Sequence, residues 1–162
     1  MNNDKIVYRP IGIIHSPFKT IDGIPIQPAA AAGIQGEVSV DKEYSGGLKS
    51  LAEFSHIILI YHFHLTNGYK LEVIPFIDDV EQGLFATRAP GRPNPIGVSI
   101  VKLKSILDNV IKVENIDVID GTPLLDIKPY VSWFDNVNDE KNGWVSKHKN
   151  DIISMKSDER FK

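Results

Sequence analysis

The 162-residue chain has no cysteine. That excludes a disulfide scaffold, thiolate zinc sites, iron–sulfur clusters and a cysteine nucleophile. No apolar run approaches the ~20 residues that a transmembrane helix needs. The start, Met1-Asn2-Asn3-Asp4-Lys5, is not that of a signal peptide. The expected compartment is therefore the cytoplasm, with no membrane partner. Excess charge of one sign is also missing. A formal net charge of −3 argues against a sequence-wide electrostatic footprint for nucleic acid. Arginine is scarce: the four are Arg9, Arg88, Arg92 and Arg160. There is no Gly-rich phosphate loop, no GxSxG elbow and no HExxH. Serine hydrolase, nucleoside triphosphatase and dinucleotide oxidoreductase readings have nothing to stand on.

What is abundant points to β structure. The 22 Ile and 13 Val outnumber the 10 Leu and 7 Ala by two to one. β-branched side chains fit a pleated, half-buried surface and lose freedom in helices. Ten Pro and twelve Gly are spread along the chain and interrupt long helical windows. The length suits one domain that buries about two-thirds of its unfolded surface without a disulfide or metal. The expectation is a mostly-β fold: a small β-barrel with short helices and a C-terminal arm.

Along the chain, Val7 to Ile14 is a short apolar stretch broken by Pro10 and ended by Ser16-Pro17. Ile21 to Pro28 carries two prolines, which suits loop or edge backbone. Ala29 to Ala32 looks helical but is too short to hold a helix alone. Gly36 to Val40 reads as a strand. Ser45 to Glu53 reads as a short helix capped by Ser45, with Leu48, Leu51 and Ala52 on one face. Phe54 to Leu65 is the most hydrophobic segment and reads as a central strand. Leu71 to Phe76 is another strand, limited by Pro75. Gly97 to Leu107 alternates, with Val98, Ile100, Lys102 and Lys104 opposite Ser99, Val101, Leu103 and Ser105. Asp108-Asn109 is a hairpin turn into a second alternating run, Val110 to Ile119. Asp126 to Trp133 reads as the last strand. Short strands at this spacing suggest a barrel or sandwich.

Beyond Trp133 the chain turns polar, with Trp144, Val145, Ile152, Ile153, Met155 and Phe161 as scattered apolar anchors. The expected division is a barrel over 1–134 and an arm over 135–162. The arm would pack on the barrel or on a partner subunit and then fray. There is no internal repeat.

Three segments could carry chemistry. In Arg88-Ala89-Pro90-Gly91-Arg92-Pro93-Asn94-Pro95, prolines fix φ and restrain the preceding residues, so the loop is stiff. Two guanidiniums on a stiff loop can pre-position carboxylate or phosphate recognition; equally, the loop can be a rigid crossover with solvated arginines. Asp120-Gly121-Thr122-Pro123 marks a turn into a strand. Asp126, Lys128 and Tyr130 would then share one face, as they would on any surface strand. His62-Phe63-His64, with His56 upstream, could bind zinc or non-haem iron. No carboxylate–His motif follows to complete such a site, so hydrogen-bonded site or interface histidines are the alternative.

In order along about residues 8–134, these segments resemble the TsaA-like (TrmO) family of tRNA adenosine methyltransferases. Ile11 to Phe18 looks like the family's opening strand and turn, and Ile24 to Pro28 like its Gln-Pro loop. Phe54-Ser55-His56 and His62-Phe63-His64 match its central strand. Phe85 to Arg88 leading to Arg92-Pro93-Asn94-Pro95-Ile96-Gly97 is the most specific match. Asp120 to Pro123 running through Tyr130 completes the set.

The resemblance implies a β-barrel methyltransferase that binds S-adenosylmethionine near a homodimer interface. The implied substrate is the exocyclic amine of threonylcarbamoyl-adenosine, beside the anticodon of tRNA. Carried over by motif, Ile26, Gln27, Pro28, His64, Leu65 and Arg88 would hold the cofactor, as would Asp120, Gly121, Thr122, Pro123 and Asp126. Arg92, Asn94, Lys128 and Tyr130 are candidates for the substrate side, with Arg92, Lys128 and Tyr130 also candidates for the chemistry. Asp126, or a water held by it, is the candidate proton acceptor. Methyl transfer to an amine needs above all the alignment of nitrogen, methyl and sulfur. Longer members of the family carry an extra C-terminal domain. Asn142-Gly143-Trp144 resembles a segment that follows the barrel in short members. Two other readings stand beside this one. The first is an S-adenosylmethionine-binding module with another methyl acceptor or none. The second is a metal-dependent enzyme using His56, His62 and His64.

Overall fold

The computed structural model describes residues 5–148, 151 and 154–158. Its elements in chain order are β1 (Gly12–His15), β2 (Gln35–Val40), β3 (His56–His62), β4 (Glu72–Val73), β5 (Gln82–Gly83), β6 (Ile96–Leu107), β7 (Val110–Glu114), β8 (Thr122–Pro129) and one helical turn, α1 (Ser132–Asp135). Six strands close a barrel in the order β1-β2-β7-β6-β3-β8, every neighbouring pair antiparallel. Closure removes the free edges of a small sheet. β4 and β5 form a separate ribbon.

The period-2 alternation sends one face of each strand inward. Ile57, Leu59 and Tyr61 of β3 are buried, as are Ile14, Val38, Val101, Ile111, Val113 and Leu124 from the surrounding strands. Gly97, opposite Tyr61 in the ladder, has to be glycine: a Cβ there would run into the rings of Tyr61 and Phe63. Asp108-Asn109 does turn β6 into β7. Asp108 takes a left-handed φ of 53°, and Asn109 O accepts from Val40 N at 2.9 Å.

Several local expectations are corrected. Residues Ser45 to Glu53 form no α-helix. Two 3-10 segments, Lys42–Leu48 and Leu51–Glu53, stand there, separated by Ser50 at a left-handed φ of 63°. Gly46-Gly47 and Ser50 break the α ladder, and the Ser45 hydroxyl donates back to Lys42 O rather than capping a helix. The alanine run, in keeping with its expected shortness, holds no α-helix and forms a single 3-10 turn, Pro28–Ala31. The strand expected over Leu71 to Phe76 shrinks to Glu72–Val73. The last strand starts at Thr122 and not at Asp126. Gly121, at φ 79°, completes the reversal, so Thr122 and Pro123 are already paired with Ile14 and Ile13. Trp133 falls in α1, where the Asp135 carboxylate accepts from Val131 N at 2.7 Å. β7 ends at Glu114 because Asn115 takes φ 71°.

Strand register puts the two longest loops at one barrel end. His15, Gln35, His62, Ile96, Glu114 and Thr122 are the strand termini there. They carry the loops 16–34, 63–95 and 115–121. The other end holds the segment 41–55, the β6–β7 hairpin and the chain after Pro129. Within 135–158, Trp144 Nε1 donates to Ala86 O at 2.9 Å. Ser157 N donates to Ile24 O at 2.8 Å and accepts Gly23 N at 3.0 Å through its own carbonyl. The expected anchors Ile152, Ile153 and Phe161 lie outside the described residues. Among those residues no helix is long and apolar enough to cross a membrane.

Candidate functional site

The loop-bearing end assembles a site from segments far apart in sequence. The 3-10 turn Leu84–Ala86 is closed by Thr87, whose amide and hydroxyl both donate to Leu84 O at 3.0 and 2.8 Å. Arg88 leaves this turn and donates from Nη1 to Gln27 Oε1 at 2.9 Å, tying loop 63–95 to loop 16–34. Ile26 and Pro28 flank Gln27, both half-buried. Gln27 is neutral, so the Arg88 charge stays available.

Arg92 is used differently. Its Nη1 donates to Thr87 O at 3.1 Å, with longer contacts to Ala89 O and Leu84 O. Its guanidinium also sits 5.7 Å from the Phe85 ring centre. Arg92 thus stiffens the loop that presents Arg88. Asn94 is exposed, and its carbonyl accepts Ile96 N at 2.7 Å.

His64 follows β3, and Phe63 N donates to Pro95 O at 2.8 Å. That bond draws the histidine segment to the Arg-Pro loop. His64 Nδ1 is buried with no partner among the described residues. Burial, helped by His62, pushes its pKa below the ordinary value, which favours the neutral ring. Leu65 beside it is exposed. His56 and His62 share the outer face of β3. Among the described residues no three His, Asp or Glu side chains gather closely enough to hold a metal ion.

Sequence reasoning missed a polar chain in the barrel mouth. Ser99 Oγ donates to Asp117 Oδ1 at 2.6 Å. That leaves the Tyr61 hydroxyl, 3.0 Å from Ser99 Oγ, to donate to Ser99. Ser99 is 1% exposed and Tyr61 4%. Burial pushes the Asp117 carboxyl up to about 6, against the Ser99 bond and the Arg88 charge. Burial, then the Asp117 charge, pushes the Tyr61 phenol well up. Arg88 acts electrostatically on both groups, yet no ion pair joins it to Asp117. In the sequence Ser99 stands between Val98 and Ile100, which gives no sign that the serine is the one facing inward.

Asp120 is committed to its neighbours. Lys19 Nζ lies 2.7 Å from Oδ2, and Ser16 N donates to Oδ1 at 3.1 Å. His15 Nδ1 is 3.6 Å away. The Lys19 bond first, then the Ser16 amide, holds this carboxyl below its usual value. Gly121 N donates to Ile14 O at 2.9 Å. Thr122, almost wholly buried, donates to Ile119 O at 2.8 Å. Pro123 pairs with Ile13. Residues 120–123 therefore build the rim between β1 and β8.

Asp126, Lys128 and Tyr130 lie elsewhere. Asp126 is midway along β8, opposite Ile60, and Lys128 Nζ contacts its Oδ2 at 2.7 Å. Tyr130 meets His56 edge to face at 6.3 Å. Eight residue steps along an extended chain carry Tyr130 ~26 Å from Thr122. Within one chain Lys128 and Tyr130 are thus apart from the Arg88–Gln27–His64 group, with Asp126 in between. The outer face beside them is apolar: Val98 is 51% and Ile100 41% exposed, with Ile58 and Ile60 alongside.

Comparison with known proteins agrees with this geometry. Residues 13–136 match the family model for the tRNA-methyltransferase O N-terminal domain. A probable S-adenosyl-L-methionine-binding protein of Pyrococcus abyssi is 51% identical over 156 residues, covering 96% of this chain and 85% of that protein. The tRNA (adenine(37)-N6)-methyltransferase of Escherichia coli is 37% identical over 142 residues. This chain spans 82% of itself in that match and 60% of the enzyme's length. The crystal structure of TrmO from Pseudomonas aeruginosa superposes with a TM-score of 0.74 at 36% identity, covering 87% of this chain and 63% of that one. A shared barrel, the ordered motifs and a match over most of the chain lead to one assignment: this chain belongs to the tRNA-methyltransferase O N-terminal domain family.

Proposed function

We propose that this protein methylates tRNA with S-adenosylmethionine, at the exocyclic nitrogen of the threonylcarbamoyl-adenosine beside the anticodon. The observation that carries the reading is the barrel mouth, where Arg88 and Asp117 present opposite charges without pairing to each other. That donor set suits a ligand with a carboxylate, an ammonium and a sulfonium. The unpartnered His64 Nδ1 beside it suits a polar edge such as that of adenine. Relatives named as S-adenosyl-L-methionine-binding proteins and tRNA (adenine(37)-N6)-methyltransferases support the same reading. A cytoplasmic location, where tRNA is found, belongs to the same proposal.

The cofactor, when bound, supplies an activated methyl group on a good leaving group. The chain supplies binding and alignment, the main requirement of an in-line displacement. Arg88, held by Gln27, takes the carboxylate. Asp117 takes the cationic end. Ile26, Pro28 and Leu65 form apolar walls, neutral His64 orients the base, and residues 120–123 close the rim. A base of an anticodon loop is already unstacked, so reaching it costs little.

Asp126 as proton acceptor, with Lys128 and Tyr130 on the substrate, belongs to the same proposal through a homodimer. A second copy seated on the Val98–Ile100 face would cover exposed apolar surface next to those residues. In this scheme residues 1–134 act as the barrel unit and 135–162 as an arm.

Two measurements test the reading. Calorimetry should show S-adenosylmethionine binding; no binding would overturn it. Nucleoside mass spectrometry of tRNA from a deletion strain should show loss of the methyl group from threonylcarbamoyl-adenosine. Unchanged methylation with intact cofactor binding would favour a module acting on another acceptor.

A further inference from the structure

Phe85 is 74% exposed, yet everything around it is fixed. It is the middle residue of the 3-10 turn Leu84–Ala86. Leu84 before it is 1% exposed and packs with Val73 and Ala89 in a small core of its own. Ala86 after it accepts the Trp144 indole N–H at 2.9 Å. The Arg92 guanidinium stands 5.7 Å from the ring centre, within cation–π range. Its bond to Thr87 O at 3.1 Å keeps it there. A lone exposed aromatic is ordinary. A ring on a stiff turn, backed by a pinned cation and three residues from Arg88, is arranged to be used.

We propose that the Phe85 ring is a stacking platform for an unstacked base of the RNA substrate, with Arg92 as its fixed backing. RNA is recognised where single-stranded bases are splayed onto aromatic faces. A pre-fixed ring loses little entropy when a base lands on it, since the turn is already ordered. The guanidinium adds positive charge near the RNA backbone, in a protein whose net charge is −3. This inference rests on the RNA-directed reading above and adds a base-stacking contact to it.

The test uses the full chain with a synthetic anticodon stem-loop RNA, alongside S-adenosylmethionine calorimetry and sedimentation. Phe85→Ala and Phe85→Leu should each weaken RNA binding by about tenfold, within the usual range for base–aromatic stacking. Phe85→Trp should bind at least as tightly as the parent. Cofactor affinity and oligomer size should be unchanged in all three. Parent-like RNA binding by Phe85→Leu would overturn the platform, because leucine keeps apolar area but has no π-face. An equal loss of cofactor affinity would overturn it too, and so would a change in oligomeric state. A parent protein that binds cofactor but no RNA removes the proposed function and the platform together. A parent that binds RNA as tightly as Phe85→Ala removes the platform alone.

Discussion

Replacing Asp117 by Asn should make the protein more stable at neutral pH, and only there. The carboxyl sits in the barrel mouth with its pKa raised from 3.8 to about 6 by burial. Between those values the folded state holds a proton that the unfolded state has released. Stability therefore falls as pH rises through that window. Above pH 6 the charged carboxylate costs the fold ~3 kcal/mol, at ~1.4 kcal/mol per pH unit. Asparagine keeps a carbonyl oxygen for the Ser99 hydroxyl and removes the charge. Its amide must find its own partner, which offsets part of the gain. The expected net gain is ~1–3 kcal/mol at pH 7.5 and ~3 kcal/mol less than that below pH 4, where asparagine is neutral to destabilising. Urea denaturation of both proteins from pH 4 to 8 measures this, and the difference curve cancels every other titrating group. Equal differences at pH 4.5 and 7.5 would refute the reasoning. So would a variant that is less stable at pH 7.5. The same carboxylate should explain why the cost persists: a cation bound beside it lowers its pKa. Near pH 6, S-adenosylmethionine binding should then release protons, seen as buffer-dependent calorimetric heats that vanish in Asp117→Asn.

Three other outcomes follow from the geometry. Gly97→Ala should destabilise by ~1–3 kcal/mol in thermal or urea unfolding, because its methyl overlaps the buried Tyr61 ring; a neutral result would mean that the barrel mouth gives way easily. Asp120→Asn should lower the melting temperature at pH 7, and by progressively less as the pH falls below 3.8. Asp120 has a depressed pKa, so its contribution exists above the unfolded value and is lost as pH falls through the folded one. Asp126→Asn should lower kcat by at least about a hundredfold if its carboxylate accepts the proton, with cofactor affinity intact; full turnover would remove that role.

Much of the fold was legible because strand and turn signals are local. β-branched enrichment in Ile57 to Ile60 and in Gly97 to Val101 declares strands, and Asp108-Asn109 declares a reversal, but Val98 and Ile100 face outward while Ser99 faces inward, so the inward side is set by closure of the barrel. Element type was less legible wherever two local tendencies competed. Leu48, Leu51 and Ala52 have helical spacing, but Gly46-Gly47 and the left-handed Ser50 divide the segment into 3-10 turns. Thr122 and Pro123 look like turn residues, yet pairing with β1 recruits them into β8.

By itself the sequence determined the class of fold, the stiffness of the Arg-Pro loop and the family motifs, since propensity, φ restriction and residue identity are properties of short segments. The tertiary structure decided which of those segments meet. Antiparallel register brings Gln27, His64 and Arg88 to one barrel end and sends Lys128 and Tyr130 toward the other. It also turns Tyr61, Ser99 and Asp117, 56 positions apart from first to last, into one hydrogen-bonded chain. Such contacts depend on how strands pair around a closed barrel, and nothing within a few residues of any of them records it.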